Sequence, residues 1–180
     1  MRRRLAVAVA LIAAIGCTKK GDAPPVAQAT MADSAEQVLF NVRTLLTNGG
    51  VQRGELFADT MYVFDGNSRF ELRRVRASFN TATGVRDGVL SADRGTYNLA
   101  QQTLEGFGNV VIVTNDGKRL TSPQLKYMQG LNEVSSDTNF TFVRPGNTMS
   151  GVGFRSDPQL THFSIKKGMK ASGSFSLPGQ

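Results

Sequence analysis

From about Val38 onward, apolar and polar residues alternate with a period of two, and turn-forming clusters break that alternation at near-regular intervals. The clearest unit runs from Thr103 to Tyr127. Val110 to Val113 is an apolar, largely β-branched run, a residue type that packs well on a pleated surface. Asn115-Asp116-Gly117 then supplies residues that tolerate the positive φ of a tight hairpin turn, and a second arm begins at Lys118. Similar turn signals stand at Asn48-Gly49-Gly50, Asp65-Gly66-Asn67, Asn80 to Gly84, Asn98 to Gln101, Gln129-Gly130 and Pro145-Gly146-Asn147. Their spacing of roughly 14 to 18 residues predicts strands of about a dozen residues. Leu56-Phe-Ala58-Asp59, Leu90-Ser-Ala92-Asp93 and Leu120-Thr-Ser122-Pro123 echo one another. Tyr62, Tyr97 and Tyr127 follow at four or five residues, so the pattern is a degenerate internal repeat.

The predicted fold class is therefore all-β: an antiparallel meander of about nine long strands. A sheet of that size is too twisted to stay flat, and should fold over into two packed layers or a curled trough. Pro123 predicts a bulge or an edge in its strand. Residues 33–47 read both ways: Ser34 with Gln37 offers a capping box ahead of helical spacing, whereas Val38, Phe40, Val42 and Thr44 alternate. A strand from about Phe40 is the favoured reading, because the Asn48 turn requires an antiparallel partner. Lys166 to Gln180 reads as a basic, flexible tail.

Strand parity selects one apolar face. It places Leu56, Ala58, Tyr62 and Phe64 inward, with Leu90 and Ala92, Val111 and Val113, Leu120, and Phe140 and Phe142. Phe70 and Leu72 share a face, while Val75, Ala77 and Phe79 reach it only through a bulge near Arg73-Arg74. Most such residues are ordinary core. A trough that leaves this face open would instead hold an acyl chain, at about 0.8 kcal/mol per buried CH₂.

The first residues change the picture of where the domain sits. Met1-Arg-Arg-Arg4 is a basic n-region, and Leu5 to Ile15 an apolar stretch of signal-peptide length. It ends Ala14-Ile15-Gly16-Cys17, which resembles a bacterial lipobox, with small residues before a cysteine that becomes the acylated N-terminus. Ala14 stands where leucine is usual. The expected organisation is a signal peptide over 1–16, a lipidated N-terminus and tether over 17–37, a β domain over 38–167 and a tail over 168–180. Cys17 is the only cysteine, so no disulfide forms within one molecule and a multi-thiolate metal site is excluded.

Charge and chemistry narrow the function further. Of the formal +7, Arg2, Arg3 and Arg4 fall in the leader, leaving a mildly basic chain without the footprint of a nucleic-acid binder. His162, the single histidine, reads as a strand residue and supplies no zinc site alone. Asp65, Asp87 and Asp116 fall in turns, where Asp is favoured locally. No Gly-x-Ser-x-Gly elbow is present, and Gly106-Phe-Gly108 and Gly151-Val-Gly153 open no helix that would cradle a phosphate. No catalytic residue, metal or cofactor is expected.

The lipobox leader, Leu-x-Ala-Asp, Gly-Asn-Val-Val, Asp-Gly-x-x-Leu-x-Ser, Leu-x-Tyr and Asn132-Glu-Val-Ser-Ser136 occur in that order. Together they resemble the OstA-like family of lipopolysaccharide export proteins, and within it the membrane-anchored, LptC-like members. The resemblance covers about Val38 to Ile165. It implies a folded-over β-jellyroll trough that carries lipid A acyl chains along its inside and docks at its N-terminal edge on an inner-membrane ABC transporter complex. It also implies strand addition to an LptA-like periplasmic protein at the C-terminal edge, for which Met149, Phe163 and Ile165 are the candidate residues. The expected function is a non-enzymatic relay of lipopolysaccharide from the inner-membrane ABC transporter to a downstream β-jellyroll partner during outer-membrane assembly, the chain being held in the periplasm by its lipid anchor; the inner membrane is the anchor's location the resemblance favours, and the outer membrane stays open. The alternative is a structural envelope lipoprotein, a closed β-sandwich whose edges bind other proteins or polymers. A small-ligand hydrolase on the same scaffold is the remaining reading.

Overall fold

The computed structural model describes residues 30–81 and 83–173. The expected signal peptide, the lipidation of Cys17, most of the tether and the last seven residues of the tail lie outside the described residues. A single helical turn, α1 (Met31–Ser34), precedes nine strands. These are β1 (Gln37–Asn48), β2 (Val51–Phe64), β3 (Arg69–Asn80), β4 (Arg86–Asn98), β5 (Thr103–Thr114), β6 (Arg119–Met128), β7 (Glu133–Arg144), β8 (Asn147–Ser156) and β9 (Ser164–Gly173). They form one antiparallel sheet in sequence order, with β1 and β9 at its two edges.

The predicted turns are where the chain reverses, but both ends differ from expectation. The capping pair is not Ser34 and Gln37: the Thr30 backbone N–H and Oγ1 both donate to Asp33 Oδ2, at 2.6 and 2.9 Å. β1 then begins at Gln37, three residues before Phe40. At the other end the chain does not become a tail at 168. β9 runs on to Gly173, paired with β8 from Arg155↔Ser164 to Asn147↔Gly173. Its lysines and glycine hid a strand whose place is set by backbone bonds rather than by a buried alternating face. His162 lies not in a strand but in the connection before β9.

Nearly every strand is broken once, and the breaks line up into a crease across the sheet. Ladder pairing skips Asn41, Asp59, Arg74 and Asp93 in β1 to β4. It shifts at Gly108-Asn109 opposite Pro123, at Asp137-Thr138 opposite Gly153, and near Gly168. Asn41, Arg74, Gly108, Asn109, Gly153 and Gly168 all have positive φ. Glycine and asparagine enter that region cheaply, and Pro123 lacks the N–H that a regular ladder would need there. Arg74 is the exception, held by an ion pair with Asp59. Asn109 Nδ2 likewise donates to Asp93 Oδ2 at 2.7 Å.

The crease divides the sheet into two layers folded face to face. One layer, A, holds 37–40, 60–73, 94–107, 124–136 and 154–166. The other, B, holds 42–58, 75–92, 110–122, 139–152 and 170–173. Where the layers converge at the crease only small residues fit: a Cβ on Gly106 would stand 3.2 Å from Ala92 Cβ, and one on Gly95 would stand 2.9 Å from Val75 Cγ2.

Candidate functional site

The inward side chains form rows that cross the sheet from edge to edge. In layer B, paired positions run Thr44, Leu56, Ala77, Leu90, Ile112, Leu120, Phe142, Met149 and Ala171. In layer A one row runs Leu39, Met61, Leu72, Gly95, Gly106 and Leu125. Another runs Val63, Phe70, Tyr97, Leu104, Tyr127 and Val134. Each row alternates pleat by pleat because directly opposed residues share a face. The result is one apolar band that spans all nine strands and lies between the layers.

The structure sorts the expected groove residues into two groups. Leu56, Ala58, Leu72, Leu90, Ala92, Leu120, Phe140 and Phe142 face inward and are buried, and Phe70 is half-buried against them. Tyr62, Phe64, Val111 and Val113 face outward. In β2 the inward positions step from Ala58 to Met61, because the crease at Asp59 and Thr60 adds a residue and inverts the parity. The guanidinium of Arg69 lies over the outward ring of Phe64 at 4.4 Å. In β5 the run Val110-Val111-Ile112-Val113 carries no alternation, and the register settles the matter: Leu90 pairs with Ile112 and Ser91 with Val111. Val113 is accordingly 42% exposed.

Among the candidate edge residues, Met149 lies on β8, which is paired on both sides. Phe163 precedes β9 and packs into the interior, stacked on Phe142 at 4.6 Å and on Phe154 at 5.1 Å. Ile165 is on the edge strand itself, half-buried. Phe154, Leu160 and Tyr127 join the interior without having been picked out for it, the first two because glycines and turn residues surround them in sequence.

No Asp, Glu, Lys, Arg or His is buried among the described residues. Tyr127, 1% exposed, packs edge-on against Phe79 at 4.9 Å, and burial pushes its hydroxyl up to about 12, Arg53 opposing. Hydrogen bonds stitch the rims of the two layers. Gln129 Nε2 in the β6–β7 turn donates to Thr47 O, and Asn48 Nδ2 donates to Gln129 O at 3.2 Å. On the other side Gln159 Nε2 donates to Asn80 O at 3.3 Å and Lys118 Nζ donates to Gln159 O at 3.4 Å.

The protein's own side chains line the interior of the folded sheet closely, Leu56, Leu90, Ile112 and Phe154 being at most 1% exposed. Clefts are found on the outer surface. One of about 640 Å³ lies outside the crease between Asn109, Arg119, Pro123 and Asn139. Another of about 420 Å³ lies among Arg43, Glu55, Arg76 and Arg86. Among the described residues no cluster of His, Cys, Asp and Glu forms a metal site, and no helix is long and apolar enough to cross a membrane.

A single antiparallel sheet creased along its middle, with an uncharged apolar band inside and β1 and β9 as the edge strands of the described residues, defines the class as a folded-over β-jellyroll. The chain belongs to the family described as lipopolysaccharide-assembly, LptC-related, whose profile matches residues 5–173. Its fold is similar to that of LptH, the LptA-homologous periplasmic component of the lipopolysaccharide transport device from Pseudomonas aeruginosa. That similarity has a TM-score of 0.54 at 12% sequence identity, and covers 66% of this chain and 93% of that one. No curated protein matches the chain significantly. Family membership supports a part in lipopolysaccharide transport.

Proposed function

We propose that the chain is a periplasmic, non-enzymatic lipopolysaccharide-binding protein that receives the lipid at its β1 side and passes it on at its β9 side. The observation that carries this reading is the apolar band that runs between the layers from Leu46 in β1 to the half-buried Ile165 in β9. Burying acyl chain against such a band yields about 0.8 kcal/mol per CH₂ without any dedicated polar group. The inward residues Leu56, Ala58, Phe70, Leu72, Leu90, Ala92, Leu120, Phe140 and Phe142 form its lining.

The edges suit the partners the family implies. Among the described residues β9 pairs only with β8, and its other side along Ser164–Gly173 fits strand addition by an LptA-like protein. β1, with Phe40 70% exposed, fits the periplasmic part of an inner-membrane ABC transporter. Acylation at Cys17 would hold the chain at the membrane, since two or more acyl chains anchor stably where one is marginal.

The packed interior favours a second reading, a closed sandwich that serves only as an interaction scaffold. Site-specific diazirine side chains in cells distinguish the two. Placed at Leu56, Ile112 or Phe140, they crosslink to lipopolysaccharide if the lipid travels inside. Crosslinks from Tyr62 or Val113 alone put the lipid on the outer surface and contradict the relay.

A further inference from the structure

We propose that the connection between β8 and β9, Asp157–Phe163, is a displaceable strap that plugs the interior, so that Leu160 and Phe163 hold the place an acyl chain takes when bound. This rests on the reading of the interior as the lipid site.

Three observations point to it. First, the strap fills the interior with apolar side chains from outside the ladder. Leu160 is 2% exposed, and the Phe163 ring lies against Phe140, Phe142 and Phe154 at 4.6 to 5.3 Å. A bulky residue with φ +55 is uncommon, and Leu160 adopts it only where the surroundings hold it.

Second, the strap keeps its own shape. Asp157 Oδ1 accepts from the backbone N–H of Thr161 at 2.6 Å and of His162 at 3.3 Å, and Leu160 N–H donates to Asp157 O at 3.0 Å. These bonds close the short loop on itself.

Third, its ties to layer B are side-chain ties. Gln159 Nε2 to Asn80 O and Lys118 Nζ to Gln159 O are the hydrogen bonds that join it to that rim among the described residues, and no backbone–backbone hydrogen bond does so. Lifting the strap breaks no ladder. It uncovers the aromatic cluster at the β9 side, where an arriving acyl chain replaces apolar contact with apolar contact. The sealed interior and a lipid-carrying interior are then two states of one fold, exchanged through this segment.

The test ties the strap down. Asn80→Cys and Gln159→Cys are introduced together in the full chain and joined by a reducible bismaleimide, the joined pair being verified by mass spectrometry. Photoreactive lipid A with a diazirine in an acyl chain is then added, and crosslinks to the peptides carrying Phe140 and Phe154, which lie against the strap, are counted. The expected result is a loss of at least about fivefold in the joined protein, restored when the linker is reduced, with Leu160→Ala taking up more lipid than the parent. Equal labelling before and after joining, with labelled parent protein, overturns the strap but leaves the lipid site intact. No labelling of the interior in any form overturns both.

Discussion

The two sides of the folded sheet are finished differently. At the β9 side the interior is closed by aromatic packing: Phe140, Phe142 and Phe154 are at most 3% exposed, and Phe163 stacks among them. At the β1 side the band runs out into solvent. Leu39 faces inward opposite Met61 yet is 41% exposed, Val42 is half-buried, and Leu46 is the one residue of β1 fully covered. The rim there is held by Gln129 through hydrogen bonds to Thr47 and Asn48. Hydrophobic burial stabilises one side and polar stitching the other. The β1 side is thus the one where apolar surface is already accessible to a lipid, and the β9 side the one that must yield something first.

If that contrast is right, truncations should separate the two sides. Phe154→Ala removes a fully buried ring from the aromatic cluster and should cost about 3–5 kcal/mol, read as a shift in the denaturant midpoint. A cost below about 1 kcal/mol would mean the β9 side is not the packed one.

Two groups, Tyr127 in the interior on β6 and Asp157 in the β8–β9 connection, should answer to opposite ends of the pH scale. Tyr127 is raised by burial to about 12, so the neutral phenol stabilises the fold below pH 10. That contribution, about 2–3 kcal/mol, is lost as pH rises from 10 through 12. Stability should begin to fall near pH 10, and Tyr127→Phe should weaken that dependence, the remainder coming from Tyr97, which burial also raises. For Asp157, burial alone would raise the carboxyl, but hydrogen bonds from Thr161 and His162 outweigh it and hold it below the ordinary carboxylate range. Its lowered value means the stabilisation is present at neutral pH and disappears as pH falls through the folded value. Hydrogen exchange at Thr161 and His162 should therefore accelerate in acid before that of the β5 ladder, and Asp157→Asn should exchange fast already at neutral pH.

On the β1 side the effects should be small. Gln129→Ala loses the bond to Thr47 but also removes Oε1, a buried acceptor without a partner, for a net cost of about 1 kcal/mol by thermal melting. Leu39→Ser should fall within about 0.5 kcal/mol of the parent because the side chain is open to water, yet reduce lipid uptake. A stable variant with unchanged uptake would argue against the β1 side as the way in.

Much of this architecture is legible in the chain. Asn-Gly and Asp-Gly clusters mark reversals by their backbone chemistry, so the meander and its length follow. The repeated Leu-x-Ala at Leu56 and Leu90 marks true inward positions, because both sit in layer B before the crease. Parity beyond the crease is not legible. Asp59 and Asp93 close each Leu-x-Ala as turn-prone residues, yet the crease they and Asn41 mark appears only when neighbouring breaks align across the sheet. That is why Tyr62 and Phe64 read as interior. The bulge at Arg74 was visible, since Leu72 and Val75 are both too apolar to face water and lie on opposite parities. Leu160 was hidden by its setting between Gln159 and Thr161, in a segment with no periodicity.

The most direct test of the account is the spacing of the rims while lipid is bound. Spin labels placed at Val85, on the layer B rim, and at Leu131, on the layer A rim, are both in exposed turns. Pulsed electron resonance distances are then measured with and without lipopolysaccharide. A lipid held inside requires the layers to part at the mouth, so the distance should lengthen and its distribution broaden. An unchanged distance in protein shown to be carrying lipid would place the lipid outside the fold.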